Sequence, residues 1–258
     1  MAPGSGPAGT GGGLQPSATA VALASMSMMP LSPAEGWGVL HLFFKTSPAV
    51  DSEAVTAAVK WAEGSGLEVV CFAVLGHKAD MAAMLLGPDL VALRRAQSAL
   101  CAAGLELAGS YLSLTEVSEY AKGMPAERLE PRLHPKLPPE GKRAVCFYPM
   151  SKRRDGDDNW YRLDYDSRLS LMYEHGASGR KFAGRVLQLV TGSTGLDDYE
   201  WGVTLFANTP DDLKQCVYAM RFDEASARFG DFGPFYTGVV GPVEQVLAAC
   251  GLAPGNEP

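Results

Sequence analysis

A phenol, a thioether and three cations stand within seven residues at Tyr148-Pro149-Met150-Ser151-Lys152-Arg153-Arg154, and about one helix later a lone imidazole follows at His175. A phenol can carry a one-electron hole, an imidazole can bind a metal, and ammonium and guanidinium groups bind carboxylates through charge-assisted hydrogen bonds. Together these groups suit a redox iron site that handles an anionic substrate.

Each has a plainer use. A lone histidine is more often a hydrogen-bonded structural residue than a ligand, and His41 in an aromatic strand and His77 in a tight turn suit that role. His134, in a Pro-rich loop, is expected to be exposed. His175 differs: Leu171 and Met172 precede it at i−4 and i−3, so it shares their apolar helical face and points inward. Gly176 and Gly179 follow, and a helical glycine costs about 1 kcal/mol relative to alanine, tolerable where something flat approaches the backbone. One axial imidazole beneath a planar macrocycle fits this face. Tyr148 could be a core tyrosine, but Pro149 ends regular pairing and so sets the phenol at a strand end, where side chains reach into sites. Lys152 and its cationic neighbours are either solvated surface or a cradle for carboxylates.

The elements that must position these groups repeat themselves. Trp37–Lys45, Leu67–Leu75, Asp80–Leu86 and Glu106–Val117 read as strands, with helices at Ser52–Glu63 and Pro88–Ala103. After a loop rich in proline and charge (122–143), strands are expected at Ala144–Met150, Val186–Ser193, Glu200–Ala207 and Phe232–Val240. Helices are expected at Asp164–Phe182, Pro210–Met220 and Val243–Cys250. Both halves (36–121 and 144–258) thus have the βαββαβ order of a ferredoxin-like unit. Two such α+β units can merge their sheets into one barrel with helices outside.

The remaining composition excludes other classes. A net charge of −7 and a pI near 5.2 argue against a nucleic-acid groove or a polybasic anchor. Five cysteines, odd in number and scattered in apolar contexts, read as reduced thiols of a cytoplasmic protein, and no CxxC spacing is present. No apolar run reaches the roughly 18–20 residues of a membrane helix. Residues 1–35, without Lys or Arg, read as a disordered tail.

Four stretches are jointly informative: Tyr148–Arg154, Leu171-Met-Tyr-Glu-His-Gly176, Gly192-Ser-Thr-Gly-Leu-Asp-Asp-Tyr-Glu-Trp-Gly-Val-Thr-Leu-Phe206 and Met220-Arg-Phe-Asp-Glu-Ala-Ser-Ala-Arg-Phe-Gly230. In order and spacing the chain resembles the coproheme decarboxylases, the haem-synthase branch of the chlorite dismutase family, in the form found in Firmicutes. The resemblance is dense from about Tyr111 onward, looser from Trp37, and absent from the first 35 residues. It implies a dimeric α+β barrel assembled as a homopentamer. It also implies a reaction: with hydrogen peroxide as oxidant, iron coproporphyrin III (coproheme) loses two propionates as carbon dioxide, through a three-propionate intermediate, to give haem b. Coproheme is then both substrate and cofactor, and a coproporphyrin ferrochelatase is its implied donor.

By the same resemblance His175 is the proximal iron ligand, Tyr148 the tyrosine whose radical attacks the first propionate, and Lys152 the lysine needed for the second. Met150 lines the pocket, Gln188 is the distal residue, and Tyr111, Arg132 and Ser226 hold propionates. Chlorite-degrading relatives carry a distal arginine where this chain has Gln188, and actinobacterial decarboxylases a distal histidine, so the amide disfavours chlorite breakdown. His134 departs from the aromatic that many relatives carry after Arg-Leu. A peroxidase, a chlorite dismutase or a non-catalytic haem carrier remain the alternatives.

Overall fold

The computed structural model describes Met1 and residues 28–121 and 123–252; the expected tail falls outside the described residues over 2–27. In the first half the chain forms β1 (Gly38–Lys45), α1 (Ser52–Gly64), β2 (Glu68–Val74), β3 (Met81–Gly87), α2 (Leu90–Ala102) and β4 (Glu106–Thr115). Asp51 and Asp89 start the helices by accepting from the N–H groups of Ala54 and Val91. Ordered contacts begin earlier than Trp37, because the Leu31 amide donates to Asp89 and its carbonyl accepts from Leu90.

The connecting segment contains a helix that its proline content hides, α3 (Ala126–Leu133), which buries no side chain. The second half then forms β5 (Ala144–Lys152), β6 (Arg154–Asp155), β7 (Asp158–Asn159), α4 (Tyr165–Arg180), β8 (Val186–Gly192) and β9 (Trp201–Ala207). It ends with α5 (Pro210–Met220), α6 (Glu224–Ala227), β10 (Gly230–Phe232), β11 (Tyr236–Val240) and α7 (Val243–Ala249). The single last strand expected at 232–240 is thus two, broken at Gly233-Pro234-Phe235.

All ladder pairings are antiparallel. The first half orders its strands β4-β1-β3-β2 and the second β11-β5-β9-β8, the same ferredoxin-like order in each. Two seams, β11 on β2 and β4 on β8, join the halves and close eight strands into a ring, with β10 appended to β5. The expected dimeric α+β barrel is what the strand order builds. The inward faces meet in one core containing Phe43, Phe72, Phe147 and Phe206, while α1 and α2 cover the outside of the first half over Leu42, Phe44 and Leu85. The last helix crosses over: Val243, Val246 and Leu247 pack with α1 and β2 of the first half.

Candidate functional site

Strand β5 sorts its residues by parity, as a strand must. Val145 and Phe147 enter the barrel core, whereas Cys146, Tyr148 and Met150 lie in the cluster outside the barrel, with Leu205 and Leu213. Lys152 continues that outward row. Tyr148 is not at a strand end as Pro149 suggested: pairing runs on to Lys152. In an antiparallel strand a residue's N and O point to the same neighbour, and Pro149 O accepts from Gly233 N at 2.9 Å. The missing N–H of Pro149 therefore meets the kink between β10 and β11, where no ladder bond is needed.

The Tyr148 ring stacks on Phe235 at 4.5 Å and lies 5.9 Å from Phe232. Burial pushes its hydroxyl well above the ordinary phenol value, so it stays protonated. Across β9, Tyr148 pairs with Val203 and then with Val190 on β8, and Cys146 pairs with Leu205 and then with Gln188. Gln188 and Val190 thus share the outward face with Tyr148, yet both are exposed. That wall is uncovered.

Helix α4 packs on α5 and α6 and has sixteen residues with no fully buried side chain. One stripe of it, Arg168, Leu171, Met172, His175, Gly176 and Gly179, is half-buried. Leu171 and Met172 pack on the small cluster of Trp160, Ala225 and Phe229, which sets the direction of His175. Its Nδ1 faces Asp223, 3.1 and 3.2 Å from the two carboxylate oxygens, with the Ser226 hydroxyl at 3.3 Å. Asp223 also caps α6 through Ser226 N at 2.9 Å. Burial alone would raise the Asp223 carboxyl, but the hydrogen bonds from His175 and Ser226 outweigh it and hold the group below the usual carboxylate value. An imidazole that donates Nδ1–H to a carboxylate is fixed in one tautomer and leaves Nε2 as the ligand atom.

These features fit a flat iron macrocycle. His175 offers one free nitrogen; a Cβ at Gly179, one turn further on the same stripe, would meet nothing within 4 Å; and on the face of the sheet that bears Tyr148, Gln188 and Val190 are open. Among the described residues no cluster of three His, Cys, Asp or Glu side chains could hold a metal ion.

Lys152 closes the same neighbourhood. It is 8% exposed, donates from Nζ to the Ala225 carbonyl at 2.9 Å, and lies 4.3 Å from the centre of the Trp160 ring. Burial lowers its ammonium to about 8, against the opposing pull of Asp223 and Glu200. Segment 223–226 therefore contacts both His175 and Lys152.

One expected propionate holder, Tyr111, lies on another face. Tyr111 points into the barrel, on the face opposite Tyr148, against Phe147, and its hydroxyl bonds Ser193; Gly202 is bare where that ring passes. On β4 the parity of the strand sets this: Tyr111, Ser113 and Thr115 are the buried row, whereas Ala108, Ser110, Leu112 and Leu114 on the other face are exposed or half-buried. Ser226 is close to the site, but its hydroxyl adjoins the His175–Asp223 pair. Arg132 is exposed on the last turn of α3, beside Thr115, whose hydroxyl donates to the Leu133 carbonyl at 2.8 Å. His134 is half-buried, bonded to Glu130 at 2.7 Å and edge-on to Trp37 at 5.1 Å. Asp223 was missed; its signal is an N-cap aspartate with a serine three residues on. His41 has the structural role expected: it is buried among aromatics, bonds Thr204 at 3.0 Å, and is kept neutral by burial, with its pKa lowered to about 3.

No helix among the described residues is long and apolar enough to cross a membrane. Comparison with known proteins follows the same lines. The family profile described as Chlorite dismutase matches residues 49–241. A coproheme decarboxylase of Thermus thermophilus is 40% identical over 245 residues, covering 86% of this chain and 97% of the relative. The solved structure of a heme-binding protein from Thermus thermophilus superposes with a TM-score of 0.76 at 40% identity, covering 87% of this chain and 99% of that one. The chlorite dismutase of Candidatus Nitrospira defluvii, solved with imidazole, shares the fold at 20% identity, with a TM-score of 0.68 over 84% of this chain and 96% of its own. The chain belongs to the chlorite dismutase family.

Proposed function

We propose that this protein is a coproheme decarboxylase that uses hydrogen peroxide to convert two propionates of iron coproporphyrin III to vinyl groups, giving haem b. The observation that carries the reading is the link between an outward row, Tyr148-Met150-Lys152, and His175, through the segment 223–226. A carrier needs an axial ligand but no phenol and ammonium aligned with it. The likeness to the Thermus enzyme supports the same chemistry.

Bound coproheme, with peroxide, supplies the oxidising equivalents. His175 would hold the iron through Nε2, with Asp223 orienting the ring and strengthening it as a donor. Tyr148, fixed by Phe235, passes an electron and its proton away and becomes the radical that takes a hydrogen atom from the first propionate chain. Loss of a second electron and of carbon dioxide leaves a vinyl, so each propionate consumes two electrons, the amount one peroxide accepts in becoming water. Lys152 offers a cation to the second propionate after the three-propionate stage. Met150 lines the slot, Arg132 reaches the remaining carboxylates, and Gln188, an uncharged amide, offers no cation to retain an oxyanion, which disfavours chlorite breakdown. A homopentamer in the cytoplasm, supplied by a coproporphyrin ferrochelatase, is the setting this reading carries.

The test is anaerobic loading with ferric coproheme, stepwise addition of peroxide and mass analysis of the porphyrin. Release of two carbon dioxide equivalents is expected; bleaching with all four propionates intact would overturn the proposal. Tyr148→Phe should bind coproheme and make no first cut, and Lys152→Ala should stall at three propionates.

A further inference from the structure

The hairpin β6–β7 lies outside the barrel, and what it delivers is one tryptophan. Asp155-Gly156 turns the chain, with Gly156 at a φ of 48° that suits glycine. Arg153 N donates to Phe229 O at 2.8 Å and Trp160 N to Arg153 O at 3.0 Å, pinning the hairpin to the strand that bears Lys152. Trp160 is thereby buried to 3% exposure, edge-on to Phe229 at 5.4 Å, with its face 4.3 Å from the Lys152 ammonium.

Both contacts of that ammonium, the Trp160 ring and the Ala225 carbonyl, attract a cation without neutralising it. Among the described residues no carboxylate forms an ion pair with Lys152 Nζ; the nearby Glu200 accepts from the Lys152 backbone amide, at 2.8 Å, instead. A lysine stem is flexible and carries substantial rotamer entropy when free. Here it is already ordered, with its charge unspent.

We propose that Trp160 is a positioning residue: its ring, with the Ala225 carbonyl, holds the Lys152 ammonium in place and in charged form for the carboxylate of the second propionate. This rests on the assignment of Lys152 to the second decarboxylation. The hairpin then has a purpose that barrel stability does not require.

The test uses full-length protein loaded with coproheme and compares Trp160→Phe, Trp160→Leu and replacement of Trp160 by tetrafluorotryptophan, which keeps the shape while draining the ring face of its negative potential. Mass analysis gives the rate of the second decarboxylation relative to the first. That ratio should fall about tenfold in Trp160→Leu and in the fluorinated protein, with accumulation of the three-propionate species, and recover in Trp160→Phe. A ratio in the fluorinated protein equal to that of the unmodified protein would overturn the proposal, and this comparison stands even if Trp160→Leu does not fold. Labelling of Lys152 by an amine reagent in the ligand-free protein gives a second readout: it should quicken on fluorination, and an unchanged rate would count against the hold. If the unmodified protein releases no carbon dioxide, the decarboxylase reading fails, whereas the labelling still decides whether Trp160 holds Lys152.

Discussion

The two halves share a strand order and differ in what lies on the outside of their sheets. In the first, β3 is buried at every residue and β1 at all but its last, and α1 and α2 each bury four side chains. In the second, α4 buries none and β8 leaves Gln188 and Val190 open. One topology was thus completed twice, once with a full apolar cover and once with that cover left incomplete. The filled half provides rigidity; the half with incomplete cover carries the proposed site, with Tyr148, Lys152 and His175.

The largest expected effect probes the filled half. Phe44, fully buried under α1 and α2, should cost about 3–5 kcal/mol when changed to alanine, with coproheme affinity of the remaining folded protein unaltered. Denaturant melts and a titration separate the two, and an affinity loss without a stability loss would break the division of labour. Next comes the half with incomplete cover. Asp223→Asn should weaken coproheme binding or turnover about 10- to 100-fold while leaving the apo protein folded, read by titration and by the iron–imidazole stretching band; an unmoved band would remove Asp223 from the role given it here.

A third prediction concerns pH. Lys152 titrates at about 8 in the folded protein, against 10.5 for a free lysine. Between those values the unfolded chain holds the extra proton, so stability should rise with pH across that window. Lys152→Met should remove the rise and stabilise the protein by about 1–3 kcal/mol below pH 8, as measured by melts at several pH values. Equal pH slopes in both proteins would contradict the burial of this charge. The smallest effect is at Gly179: alanine there should stabilise the ligand-free helix by about 0.5–1 kcal/mol and yet weaken coproheme binding, since the new methyl stands on the stripe that carries His175. Tighter binding instead would show that the stripe does not face the ligand.

The strand order could be read from the sequence because apolar runs and capping aspartates such as Asp51 and Asp89 are local signals. The half-buried stripe that carries His175 was legible for the same reason, through Leu171 and Met172 on its own helix face. Pairing partners were not. Whether Tyr111 faces in or out depends on which face of β4 the closed ring encloses, set by its pairing with β1 and with the distant β8. The Asp223 contact joins positions 175 and 223, and the placing of Lys152 needs a hairpin, a tryptophan and a carbonyl that only the fold brings together. Proline misled twice: Pro149 suggested a strand end where a kink in the neighbouring strand accommodates it, and the prolines of 122–143 concealed α3.

Closing the ring has a consequence for the protein's behaviour in a crowded solution. A sheet edge is a template on which other chains can add strands. Eight of the nine strands in this sheet have partners on both sides. The ninth, β10, is three residues long and carries an exposed Asp231, too short and too charged to seed a fibril. The protein can therefore keep a gap in its apolar cover without offering a strand edge for aggregation to grow from.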